Sequence, residues 1–249
     1  MNELNNNLDK LIIKLNSLNK TYYQVILVVI ANDTNDFYCE MIKNCWIPLI
    51  KYIKQHKLSI KIFMLFGQKL KNIEIDFNNI IIANTGEGYI PQILKKTLFA
   101  FEYIYNNFNF KHLIRTNLSS FFKIEKLIKL SDSLSNKDIY TGIRGNNPTH
   151  INGAGIWLSK NVLFYLLQNK TKLNYKIIDD VAISNILFNK YYKNLIILRK
   201  KFNCKDYNIL NKYDPIILNK YDCYHIRIKS NNRFNDAKIM KLLFEYYYS

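Results

Sequence analysis

A short apolar run, QVILVVIAN (24–32), is the feature that most constrains the fold of this chain. The run is rich in β-branched residues and is followed directly by the polar stretch Asp-Thr-Asn-Asp (33–36). A continuously apolar strand that ends in helix-capping residues is typical of a parallel sheet covered on both faces. We therefore expect a buried strand at 24–32 that leads into a helix.

The same alternation of strand and helix patterns continues along the chain. Further strands are predicted at 59–67, at 79–86, within KHLIRTNLSSFF (111–122), near DIYTGIRG (138–145) and in the first part of 153–169. Helices are predicted at 36–57 with a kink near Pro48, at 90–108, at 123–134, in the second part of 153–169 and at 179–191. This order predicts an α/β fold, a Rossmann-like and mostly parallel sheet with helices on both faces. Ligands of such sheets bind at the carboxyl ends of the strands.

The first 20 residues differ from the rest, so we expect a single domain at 21–249 preceded by a separate helix. Residues 1–20 are polar with an apolar stripe that predicts an amphipathic helix: Leu8, Leu11, Ile12, Leu15 and Leu18. That helix either docks on the core or makes a peripheral contact with a membrane or a partner. The start of the chain is not a signal peptide, no apolar run could span a bilayer, and the four cysteines lack zinc-like spacing. We expect a cytoplasmic protein.

The charge is strongly basic, with 36 Lys and Arg against 19 Asp and Glu. Because the lysines are scattered and form no arginine-rich tract, we expect no nucleic-acid partner. Arginine is rare, and its planar guanidinium suits bidentate binding of phosphate or carboxylate. Six of the seven glycines lie between residues 86 and 155. The rare arginines and clustered glycines place a ligand site in the middle and tail of the chain; the arginines are Arg115, Arg144, Arg199, Arg227 and Arg233.

Three blocks of sequence resemble a known enzyme group. EGYIPQILKKTLFAFEYIYNNFNFKHLIRTNLSSFF (87–122), NGAGIWLS (152–159) and IDDVAI (178–183) are similar, in order and spacing, to the signature blocks of GT-A-fold glycosyltransferases. The closest likeness is to the fringe and β-1,3-galactosyltransferase group, and within it to bacterial and viral surface-glycan transferases with an RTNLSSF block. The similarity covers roughly residues 80–190, and the tail YHIRIKSNNR (224–233) resembles the tails of such enzymes.

The resemblance implies a GT-A-like fold and transfer of a sugar from a nucleotide-diphosphate sugar, a UDP-sugar, to a glycan acceptor with inversion. Inverting transfer needs a base that deprotonates the acceptor hydroxyl. Asp180 takes the position of that base, and Asp179 takes that of its acidic neighbour. The alternative for this pair is a helix N-cap. The alternative for the whole chain is a catalytically silent module of the same fold that binds a nucleotide sugar or a glycan.

The chain departs from the family pattern at Asn117-Leu118-Ser119, where the family carries an Asp-x-Asp metal motif. Neutral oxygen ligands hold Mn²⁺ or Mg²⁺ weakly, so we expect a loosely bound divalent metal or metal-independent activity. Any metal would be held by Asn117, Ser119 and His225. Otherwise, cationic side chains must stabilise the departing diphosphate. The resemblance and the cations together give these donor-binding candidates: Asn32, Asp33, Glu87, Lys96, Arg115, Thr116, Asn117, Ser119, Gly153, Gly155, His225, Arg227 and Lys229.

Several of these residues have plain structural alternatives. The RTNLSS stretch could be a strand end with helix-capping serines, and HIRIK (225–229) could be an edge strand with a solvated basic face. Asn32, Asp33 and Glu87 could belong to turns or caps. Trp157 could lie in the core or offer a stacking surface to an acceptor sugar.

Overall fold

The computed structural model describes residues 20–70, 73–145, 149–193, 201–204 and 223–248. Strands in this part are β1 (Tyr22–Ile30), β2 (Ile60–Phe66), β3 (Ile80–Ile82), β4 (Asn109–Asn117), β5 (Ser120–Phe122), β6 (Tyr140–Thr141), β7 (Ile156–Ser159), β8 (Lys201–Cys204) and β9 (His225–Ile228). Helices are α1 (Asp36–Met41), α2 (Ile47–Gln55), α3 (Gln92–Asn107), α4 (Ile124–Ser133), α5 (Lys160–Gln168), α6 (Asp179–Tyr191) and α7 (Arg233–Tyr248). The amphipathic helix predicted at 1–20 lies, except for Lys20, outside the described residues.

The central sheet has the strand order β3-β2-β1-β4-β7-β6. Its first four strands are parallel, whereas β7 runs antiparallel to both β4 and β6. The predicted fold class, a Rossmann-like and mostly parallel sheet flanked by helices in a single domain, is therefore confirmed. Among the described residues, no helix is both long enough and apolar enough to cross a membrane.

Strand β1 shows why the sheet is covered on both faces. Its residues alternate between two hydrophobic cores: Val25, Leu27 and Val29 pack into one, while Ile26 and Val28 pack into the other. The first core is closed by helices α1, α2, α4 and α7, and the second by α3, α5 and α6. A strand buried on both faces needs an unbroken apolar sequence, which is what residues 25–30 provide.

Two details of the predicted elements differ from the structure. The helix predicted at 36–57 contains a π-helical turn at Ile42–Trp46, directly before Pro48 in the first turn of α2. The strand predicted within 111–122 ends at Asn117, and the chain then enters a second sheet of order β5-β9-β8. The interpretation of HIRIK as an edge strand is wrong, because β9 is the middle strand of that sheet.

Candidate functional site

Two cavities adjoin at the carboxyl ends of β1 and β4, where ligands of such sheets bind. The first, of about 380 Å³, we call the arginine cavity, and the second, of about 650 Å³, the aspartate cavity. Glu87, Lys96, Ser119 and Arg233 line only the arginine cavity, while Arg144, Asp179 and Asp180 line only the aspartate cavity. Both are lined by Tyr89, Ile93, Asn117, Arg227 and Lys229.

A larger cavity of about 810 Å³ lies near the start of β1 and is lined by Tyr22 and Gln24. That is the amino end of the parallel strands, away from the glycine-rich loops. None of the residues predicted to bind the donor lines it. The two cavities at the carboxyl ends are therefore the candidate site.

A buried ion pair between Arg115 and Asp179 forms the floor of the aspartate cavity. Arg115 is 2% exposed and Asp179 is 4% exposed. Nε and Nη2 of Arg115 lie 3.0 and 2.8 Å from Oδ2 of Asp179, which also accepts a hydrogen bond from the Thr97 hydroxyl at 3.2 Å. Burial raises the pKa of Asp179, while the Arg115 guanidinium acts in the opposite direction.

The remaining nitrogen of Arg115 also bonds within the protein. Nη1 donates to Oδ1 of Asn117 at 2.7 Å and to the carbonyl oxygen of Gly153. The backbone comes so close that an ideal Cβ on Gly153 would lie 2.6 Å from Nη1. Arg115 therefore ties the end of β4 to the 153 loop and to α6, and it acts chiefly as a positioning residue.

Ser119 is the meeting point of two other guanidinium groups. Its Oγ accepts hydrogen bonds from Nη1 of Arg227 and, at 3.2 Å, from Nη2 of Arg233. Arg233 forms an ion pair with the buried Asp236, but among the described residues no carboxylate forms an ion pair with Arg227. Burial lowers the pKa of Arg227 to about 10, and the nearby Arg233 and Arg115 add to this effect. With a pKa of about 10, the Arg227 guanidinium stays charged at neutral pH.

These contacts decide how well the residues at 117–119 fit a divalent metal. The Asn117 and Ser119 side-chain oxygens both accept hydrogen bonds from guanidinium groups, so an ion between them would face positive charge. His225 is fully buried, stacks on Phe122 with ring centroids 4.4 Å apart, and lines neither cavity. In the described part of the chain, no three His, Cys, Asp or Glu residues form a metal-binding group. The predicted ligands Asn117, Ser119 and His225 therefore do not fit Mg²⁺ or Mn²⁺.

Lys96 and Glu87 form a second buried ion pair, at the wall of the arginine cavity. Nζ of Lys96 lies 2.7 Å from Oε2 of Glu87 and donates to the Ala31 carbonyl at 3.1 Å. Oε1 of Glu87 accepts a hydrogen bond from the Gly67 amide at 2.5 Å. A Cβ at Gly67 would lie 2.0 Å from the carbonyl oxygen of Gly86, so only glycine allows this approach. The pair thereby fixes the loop that carries Tyr89.

Asp180 lines the aspartate cavity as Asp179 does, but Asp180 is only partly buried, whereas Asp179 is buried. Oδ2 accepts a hydrogen bond from the Gly153 amide and Oδ1 from the Val181 amide, both at 2.9 Å. Neither aspartate is the N-cap of α6, because Ile178 takes that position. The two amides fix the carboxylate of a partly buried residue that lines the cavity.

Not every predicted donor-binding residue reaches the cavities. Asn32, Glu87, Lys96, Arg115, Asn117, Ser119, Gly153, Arg227 and Lys229 line one or both. The residues that line neither are Asp33, Thr116, Gly155 and His225. Thr116 is fully buried and donates to the Ala154 carbonyl at 2.8 Å, while a Cβ at Gly155 would lie 3.4 Å from Nδ1 of His225. Thr116 and Gly155 therefore pack beneath the residues that line the cavities and do not themselves reach them.

Sequence reasoning missed two aromatic residues of the site. Tyr89, which is 65% exposed, lines both cavities, and Tyr38 lines the arginine cavity with its ring centroid 6.0 Å from the Arg233 guanidinium. The sequence signal that could have identified Tyr89 is its position directly after Gly86 and Gly88, in the glycine-rich region where a ligand site was predicted. Trp157 is fully buried in the core, so it is not a stacking surface.

The chain matches no protein-family model and no curated protein sequence.

Proposed function

We propose that the protein is an inverting glycosyltransferase that transfers a sugar from a UDP-sugar to a hydroxyl group of a glycan. One observation carries the proposal: Arg227 and Arg233 converge on the single hydroxyl of Ser119 in the arginine cavity. Among the described residues, Arg227 has no ion-pair partner, so an anion that binds beside the two guanidiniums would compensate its charge. Guanidiniums bind phosphate through parallel hydrogen bonds. A diphosphate in this cavity supplies that anion.

In this proposal, the arginines replace the metal ion of the Asp-x-Asp enzymes that the sequence blocks resemble. Charge grows on the leaving diphosphate as the bond to the sugar breaks, and fixed donors stabilise it without reorganisation. Arg227 and Arg233 are these donors, and both line the arginine cavity. We therefore propose that transfer does not depend on a divalent metal.

Asp180 is the proposed general base. As the acceptor oxygen bonds to the anomeric carbon, the acceptor proton passes to the Asp180 carboxylate and the sugar–phosphate bond breaks, releasing UDP. Support comes from the position of Asp180, whose carboxylate is fixed by two amides and faces the cavity next to the arginines. Asp179 positions the site through Arg115. We place the reaction in the cytoplasm, since the buried thiols of Cys39 and Cys45 are unbridged.

The test is binding of UDP and UDP-sugars, measured by calorimetry and thermal shift with Mn²⁺ or with EDTA. We expect binding that survives EDTA and weakens roughly 10- to 100-fold in Arg227→Gln and Arg233→Gln, which is the usual loss for a hydrogen bond to a charged group. Lys51→Gln, which removes a positive charge from an exposed position on α2, is the matched control.

Three results would count against parts of the proposal. Absence of binding to any UDP-sugar would reject the donor, and binding abolished by EDTA would reject the metal-free diphosphate site. Binding without sugar transfer to any acceptor would instead identify the catalytically silent module.

A further inference from the structure

We propose that the aspartate cavity takes an acceptor with a negatively charged group, a carboxylate or a phosphate, and that Arg144 and Lys229 bind this group. The inference deepens the proposed function and rests on it for the identity of the ligand as the acceptor. The binding of an anion beside Asp180 can be tested without any transfer.

The first support is the charge balance of the aspartate cavity. Its lining carries four cationic side chains and two carboxylates, and Arg115 and Asp179 neutralise each other within the protein. Arg227 lies on the boundary with the arginine cavity and bonds to Ser119, where the proposed diphosphate binds. Two cations remain in this lining together with Asp180: Arg144, which lines only the aspartate cavity, and Lys229, which also lines the arginine cavity. The cavity therefore keeps an excess of positive charge even with Asp180 ionised and the donor bound.

The second support is the way in which Arg144 is held. Its guanidinium carbon lies 4.9 Å from the ring centroid of Tyr192 and 5.6 Å from that of Phe188, and these two rings stack with centroids 4.3 Å apart. Aromatic rings orient a guanidinium through the cation–π interaction but do not cancel its charge. Among the described residues, no carboxylate lies within ion-pair distance of Arg144 or Lys229.

The backbone around Arg144 is also fixed. The Asn152 amide donates to the Ile143 carbonyl at 2.8 Å, and the Gly145 amide donates to the His150 carbonyl at 2.9 Å. These bonds join the segment before the cavity to the loop that carries Gly153, whose amide contacts Asp180. Arg144 is thus a positioned cation, and its segment is bonded to the loop that contacts the proposed base on α6.

The arrangement also predicts how the acceptor is oriented. Asp180 repels an anion, so the charged group of the acceptor binds at Arg144 and Lys229 while its reacting hydroxyl points to Asp180. A neutral glycan could form hydrogen bonds in this cavity, but it would leave the positive charge uncompensated. The positive charges of Arg144 and Lys229 therefore favour an anionic acceptor, and the orientation that they impose determines which hydroxyl lies next to Asp180.

The experiment compares three probes that differ only at carbon 6: phenyl β-glucoside, phenyl β-glucuronide and phenyl β-glucoside 6-phosphate. Their binding to the full chain is measured by calorimetry at low ionic strength, where charge interactions are least screened. We expect at least one charged probe to bind about tenfold or more tighter than the neutral glucoside. Comparison of the carboxylate with the phosphate tells which group the site prefers.

Variants tie the preference to the proposed residues. Arg144→Gln should abolish most of the preference, Arg144→Lys should keep part of it, and the exposed Lys51→Gln should leave it unchanged. Equal affinities for all three probes, no binding of any probe, or an undiminished preference in a folded Arg144→Gln protein would overturn the inference. UDP binding is recorded on the same samples. If the wild-type protein prefers a charged probe but does not bind UDP, the proposed donor site is rejected and the proposed anion site is retained.

Discussion

The buried pair of Arg115 and Asp179 gives the sharpest test of how the site is built. Replacing Arg115 by Met keeps an unbranched side chain but removes the guanidinium. The Asp179 carboxylate, 4% exposed, would then keep only the Thr97 hydroxyl among the partners that its side chain has in the structure. Breaking a buried pair by removing one partner usually costs about 3–5 kcal/mol, so we expect the free energy of unfolding to fall by about that amount.

The double variant Arg115→Met with Asp179→Leu should recover part of this loss. No charge is then left buried, and apolar replacement of a buried ion pair is often close to neutral. Oδ1 of Asn117 and the Gly153 carbonyl still lose the Nη1 donor, at a cost of about 1 kcal/mol each. We therefore expect the double variant to be about 2 kcal/mol less stable than wild type and more stable than Arg115→Met.

Urea unfolding followed by circular dichroism measures all three proteins, with equal m-values as the check that the same transition is compared. Arg115→Lys should fall between wild type and Arg115→Met, because an ammonium supplies the charge but not the planar fork. A double variant that is less stable than Arg115→Met would refute the argument. So would a loss below about 1 kcal/mol in Arg115→Met, since an unpaired buried charge cannot be that well tolerated.

Two further predictions concern the proposed base and a buried histidine. Asp180→Asn should slow sugar transfer about 10²–10⁴-fold with little change in UDP affinity, and equal transfer rates in the two proteins would remove Asp180 from the role of base. Burial lowers the pKa of His112 from 6.5 to about 4, so the unfolded chain takes up a proton before the folded protein does. The free energy of unfolding should therefore fall by about 3 kcal/mol as the pH drops from 6.5 to 4. Urea unfolding at several pH values should show this fall in the free energy of unfolding in wild type and its loss in His112→Gln. A wild-type free energy of unfolding that does not change between pH 6.5 and 4 would contradict the prediction.

The parts of the fold that follow local patterns were predictable from the sequence. Helix α6 begins at the acidic pair 179–180, where the sequence predicted a helix start, because acidic residues are favoured in the first turn of a helix. Strand β1 was predicted within two residues at each end, since a fully buried strand has an unbroken apolar run. Cavities do lie at the carboxyl ends of the strands, and ligand binding there stays a prediction from the topology.

The second sheet was not predictable, because its pairing joins residues far apart in the sequence. Strand β5 has only three residues, and Ser120 pairs with Arg227 across more than a hundred positions. No local periodicity encodes such a contact. Yet this sheet brings Arg227 to Ser119. The arginine cavity therefore depends on long-range strand pairing that could not be predicted from local sequence patterns.

The different surroundings of Asp179 and Asp180 also lie beyond the sequence, and their cause is geometric. Successive residues of a helix point about 100° apart, so at the first turn of α6 one carboxylate is buried against β4 at the floor of the cavity and the other is more exposed to it. Asp179 faces Arg115 and Thr97, which occupy its outer oxygen, while Asp180 meets only backbone amides on its protein side. Only a carboxylate with lone pairs open to the cavity can take a proton from a bound hydroxyl. The proposed choice of Asp180 rather than Asp179 as general base therefore depends on the direction in which α6 enters the site. The two adjacent aspartates in the sequence do not reveal that direction.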